Sequence, residues 1–179
     1  MSIQKVPGRL LGYDPEQVDG LLDRVKRQYD NPNTRIVTPG MLSVAKFELV
    51  PGGYRIDQVD AAIAKVADDF EIRELTEKIS KFGRGEIKKD NRKLIGMVAE
   101  VLARSPKERF NPARNGYRFK QVEQLVSQIK VVDGQLTGPE PMEIRTRELG
   151  SSKNGPSRSE VNEFLAMVVT ALHTQRLLG

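Results

Sequence analysis

The apolar positions of this 179-residue chain recur in a repeated pattern. A valine stands six residues after each of four glycines, and a further apolar residue follows each valine four positions later. This spacing places the side chains on one face of a helix. The glycines are Gly12, Gly53, Gly116 and Gly155, the valines are Val18, Val59, Val122 and Val161, and the residues that follow are Leu22, Ile63, Val126 and Leu165. The pattern predicts four amphipathic helices, one in each copy of a repeat.

Each copy also extends upstream of its glycine. An apolar residue lies six positions before the glycine, and in the first three copies a proline between the two, Pro7, Pro51 or Pro112, favours an extended chain. The apolar anchors are Val6, Phe47, Phe110 and Leu149, and the first three glycines are followed by Tyr13, Tyr54 and Tyr117. The predicted unit is an extended anchor, a glycine turn and a helix, in which the glycine provides either a positive φ angle or room for a close backbone approach.

Two of the predicted helices carry capping signals at their starts. In the first copy, Asp14 is suited to the N-cap and Pro15 to the first helical position, and Gln17 is placed to reach back to the cap. In the fourth copy, Ser157 and Glu160 have the spacing of a capping box. These signals fix where the two helices begin.

The remaining pattern predicts a short strand over 35–37, a helix over 56–82, another over 86–104, and repeat helices over 119–130 and 157–177. The apolar stripe of the helix after Gly53 breaks its heptad between Phe70 and Ile72. A long coiled coil needs an unbroken heptad, so we expect a bend or a change of packing partner there.

The motif of an anchor, a Gly-Tyr pair and a later Val-Asp resembles the N-terminal domain of DivIVA, a bacterial division and polar-growth scaffold. The resemblance is closest over 12–29 and 38–70, and the whole chain is similar to short actinobacterial proteins made of repeated DivIVA-like domains. It implies a protein-binding role in cell division or envelope growth, and repeats that pair as internal pseudo-dimers. The long coiled-coil tail of DivIVA has no counterpart in this sequence.

We therefore expect a mainly α fold in which repeated segment–turn–helix units pack on one another, with a few short strands. The predicted segments are repeat 1 over 1–33, repeat 2 over 34–83, a helix plus repeat 3 over 84–135, and a degenerate repeat 4 over 136–179. One amphipathic helix cannot bury its apolar face alone, which is why neighbouring units are expected to cover it.

The composition offers little material for catalysis. The chain has one histidine, His173, and no cysteine, so neither a thiol nucleophile nor a soft-metal site is expected. Its glycine-containing turns lack the spacing of a phosphate-binding loop. We expect no enzyme activity, cofactor or metal. The absence of cysteine and of a signal sequence predicts a cytoplasmic protein.

Three classes of partner remain open at this stage. Other proteins, including a second copy of the chain, are the first. Nucleic acid is the alternative, because the net charge is +5 and basic residues cluster over 78–93. DivIVA contacts membranes through a Phe-Arg pair before its Gly-Tyr, which none of the four copies keeps. Leu10 and Leu11 stand at that place in the first copy, where core packing is expected over contact with a membrane or partner.

Overall fold

The computed structural model describes residues 3–31 and 34–179, and over these residues the chain is mainly helical with a few short strands. The helices are α1 (Pro15–Asp30), α2 (Pro39–Ser43), α3 (Ile56–Phe82), α4 (Arg84–Ala103), α5 (Phe119–Val126), α6 (Pro141–Thr146) and α7 (Arg158–Leu178). The strands are β1 (Leu11–Tyr13), β2 (Leu49–Pro51), β3 (Pro112–Ala113), β4 (Gly116–Tyr117), β5 (Lys130–Val132), β6 (Gln135–Thr137), β7 (Ser151–Ser152) and β8 (Gly155–Pro156).

The chain divides into two compact units, one ending at Glu71 and the other beginning at Ile72. Each unit holds two of the four glycine copies and has an apolar core of its own. The first core is built on Val18, Leu21, Val25, Val37, Leu42, Val59, Ile63, Ala67 and Phe70. The second is centred on Val98, Val122, Leu125, Val126, Leu136, Val161, Phe164, Val168 and Val169. The predicted division into four segments stays a prediction.

In the first unit, β1 and β2 form an antiparallel ribbon in which Leu11 lies opposite Pro51 and Tyr13 lies opposite Leu49. Two helices, α1 and α3, follow the two glycine copies. The Asp14 side chain caps α1 by accepting a hydrogen bond from the Glu16 N–H at 2.9 Å, as the sequence predicts. This cap fixes the start of α1 directly after the ribbon.

In the second unit, β3 pairs with β8 and β4 pairs with β7, and both pairings are antiparallel. A separate hairpin joins β5 to β6 through a two-residue turn at Asp133 and Gly134, both with positive φ. The α4 helix packs along α7, and the Arg84 guanidinium donates to the carbonyl oxygens of Leu177 and Leu178 at 3.3 and 2.7 Å.

The predicted strand over 35–37 is wrong. Instead, the buried Gln28 side chain bonds this segment: its Nε2 donates to the Val37 carbonyl at 2.9 Å, and its Oε1 accepts from the N–H groups of Ile36 and Val37 at 2.7 Å each. A side-chain amide therefore satisfies backbone groups that a neighbouring strand would otherwise pair with.

Two capping predictions also fail, for one shared reason. The backbone N–H groups of Asp14 and Ser157 donate to carbonyl oxygens elsewhere in their units, at 2.9 and 2.8 Å. A capping box would need those same N–H groups, so Gln17 and Glu160 bond other partners. The Ser157 hydroxyl makes no side-chain cap and instead lies 3.0 Å from the Ser159 hydroxyl.

Two helix predictions need adjustment. The third repeat helix ends at Val126 rather than Lys130, and the following chain turns into β5. The α3 helix runs without a break from Ile56 to Phe82 although its heptad is interrupted. The first apolar core includes α3 only as far as Phe70, so α3 changes its packing surroundings at the interruption without leaving the helical conformation.

Candidate interaction surfaces

In the first unit, the Gly12–Tyr13 and Gly53–Tyr54 segments lie backbone against backbone. The Tyr13 N–H donates to the Tyr54 carbonyl at 2.9 Å, and the Tyr54 N–H donates to the Tyr13 carbonyl at 2.8 Å. A Cβ atom added to Gly12 would stand 2.7 Å from the carbonyl carbon of Gly53, and one added to Gly53 would stand 2.6 Å from that of Gly12. Close approach, not positive φ, is what requires these glycines.

The second unit has the same contact between Gly116 and Gly155. A Cβ atom on Gly116 would meet the Gly155 carbonyl oxygen and stand 2.6 Å from that of Pro156. A Cβ atom on Gly155 would meet the Tyr117 carbonyl oxygen. All four glycines are buried. In each unit, the two glycines of the repeat therefore serve one shared crossing of the chain.

A second set of contacts was missed by the sequence reasoning. Five residues after each glycine stands a glutamine or glutamate whose oxygen accepts a hydrogen bond from a backbone N–H of the other copy in the same unit. Gln17 accepts from Glu48 (2.9 Å), Gln58 from Gln4 (2.8 Å), Gln121 from Gly150 (2.7 Å) and Glu160 from Asn111 (2.7 Å). The signal was visible, because this residue directly precedes the valine in all four copies.

The four residues whose N–H groups donate in these contacts also accept a second hydrogen bond through their carbonyl groups. They are Glu48, Gln4, Gly150 and Asn111. Each carbonyl accepts from the N–H two residues after the glycine of the opposite copy: Asp14 to Glu48 (2.9 Å), Arg55 to Gln4 (2.9 Å), Arg118 to Gly150 (2.6 Å) and Ser157 to Asn111 (2.8 Å). Two hydrogen bonds thus fix each anchor segment against the first turn of a helix from the other copy.

These contacts place the anchor of the first copy at Ile3 rather than at Val6. In three copies the residue held in this way follows Phe47, Phe110 or Leu149. In the first copy it is Gln4, which follows Ile3. Ile3 packs against the first apolar core, whereas the Val6 N–H donates to the Gly53 carbonyl at 2.8 Å. Nine positions separate Ile3 from Gly12, against six from Phe47 to Gly53, so the first copy carries a longer loop.

The longer loop corrects the expectation that Leu10 and Leu11 pack in the core. Leu10 is 58% exposed and Leu11 is 55% exposed. Leu49, at 50% exposure, lies diagonally across the ribbon from Leu11, and residues two apart on paired strands share a face. We call Leu10, Leu11 and Leu49 the apolar tip of the first unit.

The other residues of the repeat motif lie in or against the two cores. Val18, Val59, Val122 and Val161 have no exposed surface, and Ile63, Phe110, Val126 and Leu165 are buried. Leu22, Phe47, Leu149, Tyr13, Tyr54 and Tyr117 are partly buried against the same cores.

The tyrosine hydroxyls add a polar contact between copies. Tyr54 donates to Asp19 at 3.2 Å, and Tyr117 donates to Asn162 at 3.0 Å. Asp19 and Asn162 each stand seven residues after the glycine of the opposite copy. Burial, and then the neighbouring Asp19 carboxylate, raise the pKa of the Tyr54 hydroxyl, which keeps it protonated as a donor.

The fourth copy has Pro156 where the other copies have a tyrosine. Glu123 stands seven residues after Gly116, the place that Asp19 and Asn162 take in their own copies, and it pairs with a different side chain. The Arg109 guanidinium pairs with Glu123 Oε2 at 2.5 Å, while the buried Glu123 Oε1 and Arg109 Nε atoms form no hydrogen bond with any described residue. Burial raises the pKa of the Glu123 carboxyl, and the Arg109 charge opposes that shift. This arrangement is consistent with the missing hydroxyl at position 156.

The basic cluster over 78–93 is partly neutralised. Lys89 pairs with Glu86 at 3.5 Å and Lys93 pairs with Asp90 at 3.4 Å, both within α4. Arg84 is bonded to carbonyl groups at the end of α7. Lys78, Lys81, Lys88 and Arg92 stay exposed and form no salt bridge with any described residue. Lys88 and Arg92 lie one helical turn apart on α4.

His173 lies buried on α7, with 4% of its surface exposed. Over 3–31 and 34–179, no helix is both long and apolar enough to cross a membrane. Comparison with known proteins found no match to this chain among family models, curated proteins or solved structures.

Proposed function

We propose that this chain is a non-catalytic protein–protein interaction module that acts in the cytoplasm as a scaffold or adaptor. The proposed process, bacterial cell division or polar envelope growth, follows from the resemblance of the repeat to DivIVA-like domains. The apolar tip of the first unit is the proposed contact surface for the partner protein.

The proposal includes internal pseudo-dimers, in which repeat 1 pairs with repeat 2 and repeat 3 pairs with repeat 4. The supporting observation is that the two copies in each unit make the same contacts to one another. In both units, each copy offers its glycine to the crossing, and each copy's glutamine or glutamate bonds the anchor segment of the other. In such an arrangement the repeat residues make their hydrogen bonds and close contacts within the unit. Other residues are left to bind partners.

The observation that carries the function is the exposure of the apolar tip. Three leucines with about half or more of their surface exposed stand on a hydrogen-bonded ribbon and its adjoining loop. Fully burying an exposed leucine side chain contributes about 1.5–3 kcal/mol. These three are already about half covered, so each adds roughly half of that to a protein–protein contact. Apolar residues gathered in this way are typical of interaction sites rather than of inert surface.

The alternative, a nucleic-acid-binding role for the basic cluster, has less support. Two of its lysines have acidic neighbours, and Arg84 is engaged by carbonyl groups. Four exposed cations of the cluster remain: Lys78 and Lys81 near the end of α3, and Lys88 and Arg92 on α4. Phosphate-directed binding generally needs several cations along a track, with affinity that falls steeply as salt rises.

One experiment separates the two proposals. A fluorescent fusion of the full chain would be expressed in an actinobacterial host, beside the triple variant Leu10→Ser, Leu11→Ser, Leu49→Ser and the double variant Lys88→Glu, Arg92→Glu. We expect the parent and the double variant to collect at septa or poles and the triple variant to be diffuse. A parent protein that follows the nucleoid, or a triple variant that localises like the parent, would contradict the proposal. Circular dichroism of the purified proteins checks that the variants are folded.

A further inference from the structure

The second unit carries two short turns that lie between the same two pairs of strands. One turn is Arg114–Asn115, between β3 and β4, and the other is Lys153–Asn154, between β7 and β8. Ala113 lies opposite Gly155 on one side of the turns, and Gly116 lies opposite Ser152 on the other side. Because both flanking pairs keep the same antiparallel register, the two turns lie side by side.

Both turns present a cation to solvent. Arg114 and Lys153 are exposed, and in the described part of the chain neither takes part in a salt bridge. Two like charges on adjacent turns repel each other when no acid lies between them. An anion placed between the turns relieves this repulsion.

A third cation is held beside the turns. The Arg158 guanidinium lies over the Tyr117 ring, 4.7 Å from its centroid, and its Nε donates to the Asn115 carbonyl at 2.8 Å. Its Nη2 donates to the Ser151 hydroxyl. Since the guanidinium is already fixed, little side-chain freedom is lost when it binds a carboxylate.

The nearest acid along α7 does not neutralise this group. Glu160 accepts from the Asn111 backbone N–H and side-chain Nδ2, at 2.7 and 2.8 Å, and so is engaged in the contact between copies. We propose that the turn pair, together with Arg158, docks an acidic peptide segment of a partner protein through its carboxylates. This inference rests on the proposed function, because it specifies a protein partner.

The chemistry of the turns favours a peptide over the other anionic partners. Insertion into a membrane surface needs apolar side chains, whereas these turns consist of Arg, Asn, Lys and Asn. Single-stranded nucleic acid is bound by stacking on aromatic faces. The aromatic ring at this place, Tyr117, has Arg158 over it and a hydroxyl bonded to Asn162.

The two units thus differ at equivalent places. In the first unit the corresponding segments are 7–11, which carries Leu10 and Leu11 of the apolar tip, and 51–52. In the second unit they present cations. One chain is therefore equipped to hold two different partner surfaces, as an adaptor requires.

The test is fluorescence anisotropy with a labelled decapeptide rich in glutamate, titrated with the full chain at low salt. Charge reversal by Arg114→Glu and Lys153→Glu is expected to weaken binding about tenfold or more, since direct charge contacts are lost. The matched control is Lys88→Glu with Arg92→Glu, which changes the net charge equally and is expected to leave binding within about twofold of the parent.

Three outcomes overturn the inference. The first is that the parent binds no peptide, and the second is that the two double variants lose peptide binding equally. The third is that the parent binds duplex DNA or phosphatidylserine vesicles more tightly than the peptide, and that the Arg114→Glu, Lys153→Glu variant abolishes this binding. A glutamine decapeptide of the same length reports binding that does not depend on charge. The localisation experiment uses the apolar tip, so its result and the peptide result can fail independently.

Discussion

Gly12 and Gly53 lie within contact distance across the crossing of the first unit, so that a Cβ atom on either would stand less than 3 Å from the carbonyl carbon of the other. The atoms in the way belong to the backbone and are fixed by two reciprocal hydrogen bonds between Tyr13 and Tyr54. A rotamer change cannot relieve such a clash. The crossing must open, and the helices that follow it must shift.

We therefore expect Gly53→Ala to destabilise the first unit by about 3 kcal/mol or more, as overpacking against backbone does. Urea unfolding followed by far-ultraviolet circular dichroism measures the change. Gly20→Ala is the matched control, because nothing lies within 4 Å of the added Cβ atom in α1. That variant is expected to gain about 0.5–1 kcal/mol from helix propensity. Equal stability of the two variants would show that the crossing tolerates a side chain.

The helices that begin and end at strong local signals were predictable from sequence. Asp14 and the apolar steps after it identify α1, and the stripe from Val59 onward identifies α3. Which copy meets which was not predictable, because four similar glycines offer several pairings. The pairing is determined by contacts between residues distant in sequence, such as Gln58 with Gln4. A local sequence pattern does not predict which distant residues come into contact.

Three of the errors share one physical origin, which is the partner chosen by a long polar side chain. Gln28, Gln17 and Glu160 each have a side chain that local rules leave in solvent or assign to a cap. In the folded chain each instead binds backbone N–H groups of a distant segment. Long polar side chains have several partners within reach, and tertiary structure selects among them.

The glutamine contacts lead to a second prediction. Gln121→Ala leaves the Gly150 N–H without its acceptor, and we expect the second unit to lose about 1–2 kcal/mol. Gln121→Glu keeps an acceptor oxygen at the same place, as Glu160 does in its own copy, and is expected to lose less. Thermal and urea unfolding of the two variants provide the measurement. A loss that is larger for the glutamate variant would mean that burial of charge outweighs the contact.

The partly buried pair of Arg109 and Glu123 predicts a dependence of stability on pH. The Glu123 pKa is raised in the folded chain, so between the ordinary value of 4.5 and the raised value the folded state binds more protons than the unfolded state. The contribution of Glu123 to the free energy of unfolding therefore falls as pH rises through that window. Above both values the cost of burying the carboxylate is fully present.

Urea unfolding of the parent and of Glu123→Gln at several pH values isolates this contribution. Other carboxylates titrate alike in both proteins, so the difference between the two curves reports Glu123. We expect the parent to lose stability relative to the variant as pH rises from 4.5. A difference that does not change with pH would mean that the Glu123 carboxyl titrates equally in the folded and unfolded chain.

The apolar tip gives a final prediction about stability. Leu10 and Leu11 are more than half exposed, whereas Leu21 on α1 is 8% exposed within the first core. Replacing both tip residues by serine removes little buried surface, and we expect the free energy of unfolding to change by less than about 0.5 kcal/mol. Leu21→Ala leaves a cavity and is expected to cost about 2–5 kcal/mol. Thermal unfolding of the parent and both variants is the measurement. A double serine variant that unfolds as easily as Leu21→Ala would return Leu10 and Leu11 to the core and remove the surface on which the proposed function depends.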